Sequence, residues 1–208
     1  MMETVAIIPA KGFSRRCHNK NIREHNGIPI FLKSAYYAIR EGIMPLVVSE
    51  NEDILRTARR EGLPCFKESK HEDFRMEYLI DEVLSEHNKI KKICLLQPSS
   101  PIRKQGLLKK MMNEIGEYGN FTVQKIKLVG LLGGKIYRND LSEETEKYFY
   151  FHDGNIICRN AEDYRKERFL LTEKMSIVEN EFPYNLQIDN EREFNILSLI
   201  AENEKIGL

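Results

Sequence analysis

Apolar residues fall along this chain in short unbroken runs, separated by stretches where they recur every three or four positions. Val5, Ala6, Ile7 and Ile8 form one run; Leu46, Val47 and Val48 a second; Ile93, Cys94, Leu95 and Leu96 another. Such runs, bounded by turn formers, predict strands buried on both faces, as in a parallel sheet. Pro64, Cys65 and Phe66 predict a shorter strand of the same kind. Between the runs the spacing is helical. Residues 30–41 predict a helix opened at Pro29 and stopped at Gly42. Residues 52–61, with Ile54, Leu55 and Ala58 on one face, predict a second helix closed by Gly62. Residues 76–86 carry Leu79, Ile80, Val83 and Leu84 at helical spacing, and 107–118 predict a fourth helix. Strands alternating with helices in this way form βαβ units and a parallel sheet.

Regularity falls after Asn120. Residues 121–132 predict one or two strands, and Gly133 with Gly134 a turn. Two further apolar stretches, 148–151 and 155–158, flank His152, Asp153 and Gly154, which predicts a hairpin with an Asp-Gly turn. A last helix starts near Asn190 and carries Phe194, Ile196, Leu197, Leu199 and Ile200; Asn190 with Glu193 fits a capping box. No repeat, low-complexity tract or linker interrupts the pattern. The expectation is one domain over 1–208, with a small β-rich excursion at about 121–158.

Composition narrows the function classes. The chain has 208 residues, 41% hydrophobic and 31% charged, enough for a substantial core. Thirty-two basic residues balance thirty-two acidic ones, which argues against a dedicated nucleic-acid binder. No apolar run approaches the roughly 20 residues of a membrane span, and the first residues lack the basic flank of a signal peptide. Cys17, Cys65, Cys94 and Cys158 form no CxxC pair. Reduced thiols in a cytoplasmic protein are therefore expected, without zinc or disulfides. His18, His25, His71 and His87 have no ligand spacing.

Two loops carry candidate chemistry. The first strand breaks at Pro9 and Gly12 into a loop bearing Lys11, Ser14, Arg15, Arg16 and Lys20. A strand that opens into a basic, glycine-containing loop suits a polyphosphate, because backbone amides and cations converge at the strand end. A solvated basic turn is the alternative, and neither GxxxxGK[ST] nor GxGxxG is present. The second loop follows Leu95 and Leu96 and reads Gln97, Pro98, Ser99, Ser100, Pro101, Ile102, Arg103. Its two prolines restrict the backbone and hold the polar groups of Gln97, Ser99 and Ser100 in place.

Both loops resemble known signatures. IIPAKGFSRRCHNKNI is similar to the IIPARGGSKGIPRKNI of the cytidylyltransferases that activate sugar acids, the CMP-sialic acid synthetase family. Lys11 matches its first basic residue, Ser14 its serine, and Lys20 with Asn21 its closing pair; Phe13 replaces the second glycine. LLQPSSPIR resembles the family's LLQPTSPLR. VVSENEDI is similar to VVSTDDEEI, with Asn51 at the first aspartate. LQIDN resembles IDIDT, whose aspartates bind the divalent metal; Gln187 stands at the first and Asp189 at the second. The segment at 152–156 takes the place of the family's PNGAIYI.

The resemblance implies a three-layer α/β nucleotidyltransferase fold with a mostly parallel central sheet. It implies transfer of CMP from CTP to a 2-keto sugar acid of the sialic-acid type, with release of pyrophosphate. Another sugar or polyol-phosphate nucleotidyltransferase, or a non-catalytic nucleotide-binding descendant, are the alternatives. It further implies that Lys11, Lys20 and Gln97 are catalytic. Ala10, Lys11, Gly12, Ser14, Arg15, Arg16, Lys20, Asn21, Ser49, Gln97 and Ser99 would surround the nucleotide, and Asp189 would hold Mg2+. The partners implied are CTP and a sugar acid, with no nucleic acid and no membrane, and a homodimer as the family's assembly.

Overall fold

The structure is a computed structural model that describes residues 3–14, 16–69, 75–127, 130–132, 135–137 and 148–203. Arg15 and the turn expected at Gly133 and Gly134 lie outside the described residues.

Seven strands form the central sheet: β1 (Thr4–Pro9), β4 (Met44–Ser49), β5 (Cys65–Lys67), β6 (Lys92–Leu96), β7 (Asn120–Lys127), β10 (Tyr148–Asn160) and β11 (Ser176–Glu179). Their spatial order is β11-β7-β10-β6-β1-β4-β5. Neighbours pair in parallel throughout, except that β10 runs antiparallel to both β6 and β7. The sheet is thus mostly parallel, with one reversed strand inside it. Two small ribbons sit outside it: β2 (Glu24–His25) with β3 (Ile28–Pro29), and β8 (Gly130–Leu132) with β9 (Lys135–Tyr137).

Helices cover both faces, because the central strands are apolar on both. Along β1, Ala6 and Ile8 point into one core, Val5 and Ile7 into the other, and all four are fully buried. The first core takes α1 (Ile30–Arg40), α2 (Glu52–Arg60) and α4 (Leu107–Asn113); the second takes α3 (Met76–Glu86) and α5 (Ala161–Glu167). These are the three layers expected of the fold. A third cluster joins α6 (Glu191–Asn203), through Phe194 and Leu197, to Cys17, Ile30, Ile102 and Ile188. It packs the last helix against the two loops that carry the candidate chemistry.

Two expectations change. The fourth helix stops at Asn113 rather than near 118. The hairpin at 148–158 does not form: residues 148–160 are one strand, β10, with a register shift against β7 between His152 and Ile157. The Asp-Gly pair makes a bulge rather than a reversal. Gly154 takes the positive φ of 70° that a bulge tolerates at glycine. Asp153 turns inward, accepts from Thr122 Oγ1 (2.5 Å), the Asn155 amide (3.0 Å) and Asn180 Nδ2 (2.7 Å), and pins the chain in the sheet. Buried polar groups with all their partners close by fix local geometry more strongly than turn propensity does.

Candidate nucleotide site

The carboxyl ends of β1, β4 and β6 lie side by side, and the loops that leave them meet there, as is general for ligand sites of open α/β sheets. A cavity of about 190 Å³ lies between them, lined by Pro9, Lys11, Phe13, Ser14, Lys20, Asn21, Met76, Gln97, Pro98 and Ser99. The two loops singled out by sequence therefore face one another across one cavity.

The first loop is held from below. Ala10 N–H donates to Val48 O at 2.9 Å, and Ser49 Oγ donates to Ala10 O at 2.6 Å. Ser49 also accepts the Asn51 amide, at 3.0 Å. It is fully buried and spends its hydroxyl on this staple, so it does not line the cavity. Asn51 accepts from the amides of Asp53 and Ile54 and caps α2. Gly12 passes so close to Asn51 that a Cβ at position 12 would collide with the Asn51 side chain, which is why glycine stands there. Lys11 Nζ pairs with Glu68 Oε1 at 2.5 Å, and Gly12 N–H donates to Glu50 Oε1 at 2.8 Å. Asn21 Nδ2 donates to Lys11 O at 2.7 Å and closes the loop on itself.

The far end of this loop meets the start of α6. Lys20, the first residue of a 3₁₀ turn over Lys20–Ile22, donates from Nζ to Ile188 O at 2.6 Å and lies 3.6 Å from Asp189 Oδ1. Burial pushes its pKa down, against the pull of Asp189. Arg16 reaches the same oxygen at 3.1 Å. Asp189 stands just ahead of the helix. There Glu193 Oε2 accepts from the amides of Asp189 and Asn190, while Asn190 Oδ1 accepts from Glu193 N, which is the expected capping box.

The second loop is held by one buried cation. Arg103, 8% exposed, donates to Ser34 Oγ at 2.9 Å, Gln97 O at 2.7 Å and Asn155 O at 3.4 Å. Among the described residues no carboxylate pairs with it. Burial draws its pKa down to about 10, opposed by Tyr37 and Asp153. The loop is tied to the α6 end by Ile188 N–H donating to Ser99 O at 2.7 Å.

A divalent metal finds little protein ligation here. Among the described residues no three His, Cys, Asp or Glu side chains converge. Asp189 already faces two cations, and the Gln187 amide packs where a Cβ on Gly154 would come within 2.7 Å of it. This donor set fits a magnesium ion that arrives with phosphate oxygens, not one caged by protein alone.

Lys11, Ser14, Lys20, Asn21, Gln97 and Ser99 line this cavity, with Gly12, Arg16 and Asp189 beside it and Ala10 and Ser49 beneath. Sequence reasoning missed Phe13 and Met76 on the cavity wall, and Glu50 and Glu68 behind Lys11. Phe13, 64% exposed in a glycine-like loop, was the one with a visible signal. The two glutamates had none, since only tertiary folding brings position 68 to position 11.

No family profile matches the chain. It is 25% identical over 177 residues to the pseudaminic acid cytidylyltransferase of Campylobacter jejuni subsp. jejuni serotype O:2, covering 80% of this chain and 71% of that one. It is 24% identical over 214 positions to the N-acylneuraminate cytidylyltransferase of Streptococcus agalactiae serotype III, covering 93% of this chain and 52% of the relative, so it spans about half of that protein. The fold matches a CMP:2-keto-3-deoxy-manno-octonic acid synthetase solved with CTP, at TM-score 0.72 and 13% identity over 97% of this chain and 100% of that one. It also matches a 4-diphosphocytidyl-2C-methyl-D-erythritol synthase at TM-score 0.67 and 12% identity, over 97% and 99% of the two chains. The curated relatives support a likeness to the CMP-sugar-acid cytidylyltransferases, and the solved structures show the nucleotidyltransferase fold.

Proposed function

We propose that residues 1–208 form one cytidylyltransferase domain that transfers CMP from CTP to a sialic-acid-like 2-keto sugar acid. The anomeric hydroxyl oxygen bonds to the α-phosphorus, the bond to the bridging oxygen of the β-phosphate breaks, and pyrophosphate leaves. The hydroxyl gives up its proton to water. The observation that carries this reading is the convergence of Lys11, Lys20, Gln97 and Ser99 on one cavity at the sheet's carboxyl edge.

In this reading the chain's work is alignment and charge neutralisation, which dominate such transfers. Lys11, Lys20 and Arg16, with Arg15 expected beside them, hold the triphosphate. The backbone at Ala10 and Gly12, with Ser14 and Asn21, shapes the bed on which it lies. Gln97 and Ser99, on the loop fixed by Arg103, orient the base or the acceptor. Asp189 is the carboxylate that would share Mg2+ with the phosphates. The ion, when bound, supplies positive charge to the phosphate oxygens. A cytoplasmic setting and a homodimer belong to the same reading; no helix among the described residues is long and apolar enough to cross a membrane.

The experiment is a pyrophosphate-release panel of CTP, UTP, GTP and ATP against sugar acids and polyol phosphates. CTP with a nonulosonic acid should give the highest rate. Preference for another nucleotide or for a polyol phosphate moves the chain to a different branch of the fold. A second reading, a non-catalytic nucleotide-binding descendant, draws on Asn51, spent on capping α2, and on Gln187 in place of a carboxylate. CTP binding without pyrophosphate release in any pairing would establish it.

A further inference from the structure

Two carboxylates sit directly behind the first loop. Glu68 follows β5 and is 4% exposed; Glu50 follows β4. Glu68 Oε1 lies 2.5 Å from Lys11 Nζ, and Glu50 Oε1 accepts the Gly12 amide at 2.8 Å. The two carboxyls adjoin, and the second oxygen of Glu50 is buried with no donor. An ammonium and a backbone amide on a glycine loop are the donors such a loop offers to phosphate. Here both are taken by the protein's own anions.

We propose that Glu50 and Glu68 act as a built-in anion that occupies Lys11 and the Gly12 amide, and that an incoming nucleotide triphosphate must displace it. This rests on the reading of the loop as a triphosphate site.

The charge count separates this role from that of a structural ion pair. One carboxylate pairs with the ammonium and a second adjoins the first, so the set carries an excess negative charge when ionised. A bridge needed only for stability is complete with Glu68 and Lys11; it does not call for a second carboxylate with a buried, undonated oxygen. Burial pushes the Glu68 carboxyl up despite Lys11, and Glu50 pushes the same way. A triphosphate brought to the same donors meets like charge a few ångströms away, which weakens its binding. The carboxylates thus oppose phosphate charge at these donors and leave an uncharged nucleoside unaffected.

The test is calorimetric titration of CTP, inorganic tripolyphosphate and cytidine into the wild-type chain, Glu68→Gln and Glu50→Gln. Both glutamines keep an oxygen for hydrogen bonding and remove one charge. The expected result is about tenfold tighter CTP and tripolyphosphate binding in each variant, from loss of one nearby like charge, with cytidine unchanged. Equal or weaker CTP binding in the folded variants overturns this proposal alone. A gain for cytidine as large as for CTP also overturns it, since the carboxylates would then act on the whole pocket rather than on phosphate. If Glu68→Gln does not fold, Glu50→Gln, whose carboxylate touches only the Gly12 amide and its neighbour, decides the matter. No CTP binding by any of the proteins removes both this proposal and the function it rests on.

Discussion

The two loops that wall the cavity are held by opposite means. On the first, Lys11 and Arg16 are tied to carboxylates, at Glu68 and Asp189, and Lys20 donates to the Ile188 carbonyl with the Asp189 carboxylate 3.6 Å away. On the second, one buried guanidinium gathers a hydroxyl and two backbone carbonyls, with no carboxylate paired to it among the described residues. A cation held by a carboxylate can exchange that partner for a phosphate with little net desolvation. A guanidinium held by backbone carbonyls has nothing comparable to exchange, and losing it strands buried acceptors. On the proposed reading, the first loop changes partners and the second stays still while it does.

Four measurements break or sharpen this contrast. The largest effect belongs to the fixed loop. Arg103→Met should lower unfolding free energy by about 3 kcal/mol, because Gln97 O and Asn155 O lose a buried donor. Urea denaturation reads this directly, and a loss under about 1 kcal/mol would place both loops in the same class. Next comes Asp189→Asn. It should reduce magnesium-dependent turnover at least about a hundredfold with thermal stability unchanged, since asparagine suits a helix start. Full activity would leave Asp189 only its place beside the capping box, and Gln187→Asp should in turn strengthen metal binding to the free protein. Third, Lys20→Ala should weaken CTP about tenfold, as expected for one charge-assisted phosphate contact, with little change in melting temperature. Unchanged affinity by calorimetry would remove Lys20 from the phosphate bed. The smallest effect is that of salt. Exposed pairs such as Arg16–Asp189 contribute at most about 1 kcal/mol and are screened. Raising sodium chloride should speed amide exchange at 16–20 and leave 97–103 unchanged; parallel changes in both would undo the distinction.

Much of this was legible in the chain because the physics is local. Runs such as Val5 to Ile8 can only be satisfied by burial on two faces, and β1, β4 and β6 formed where such runs stood. The capping box at Asn190 and Glu193 is likewise local, spanning four residues. What escaped depends on contacts between distant positions. The Asp-Gly pair at 153 and 154 has hairpin propensity, but Thr122 and Asn180 recruit Asp153 into the sheet, and 148–160 remains one strand. Ser49 was expected beside the nucleotide and instead staples Ala10 from below. β11, whose residues are mostly exposed, carries no apolar run to announce it. Glu50 and Glu68 carry no signal of their own in the sequence; only the fold brings them to the Gly12 amide and to Lys11.

The join between Lys20 and the start of α6 also sets a timetable. Lys20 donates to Ile188, 168 residues later, and Arg16 pairs with Asp189, 173 residues later. At roughly 5–20 residues per second of synthesis, the basic loop leaves the ribosome about ten to thirty seconds before its acidic partner exists. Arg103, Gln97 and Ser34 are all made well within that interval. The Ser34 and Gln97 contacts of Arg103 can thus form early, whereas its contact with Asn155 and the tie of Ser99 to Ile188 arrive late, as the partners of Lys20 and Arg16 do.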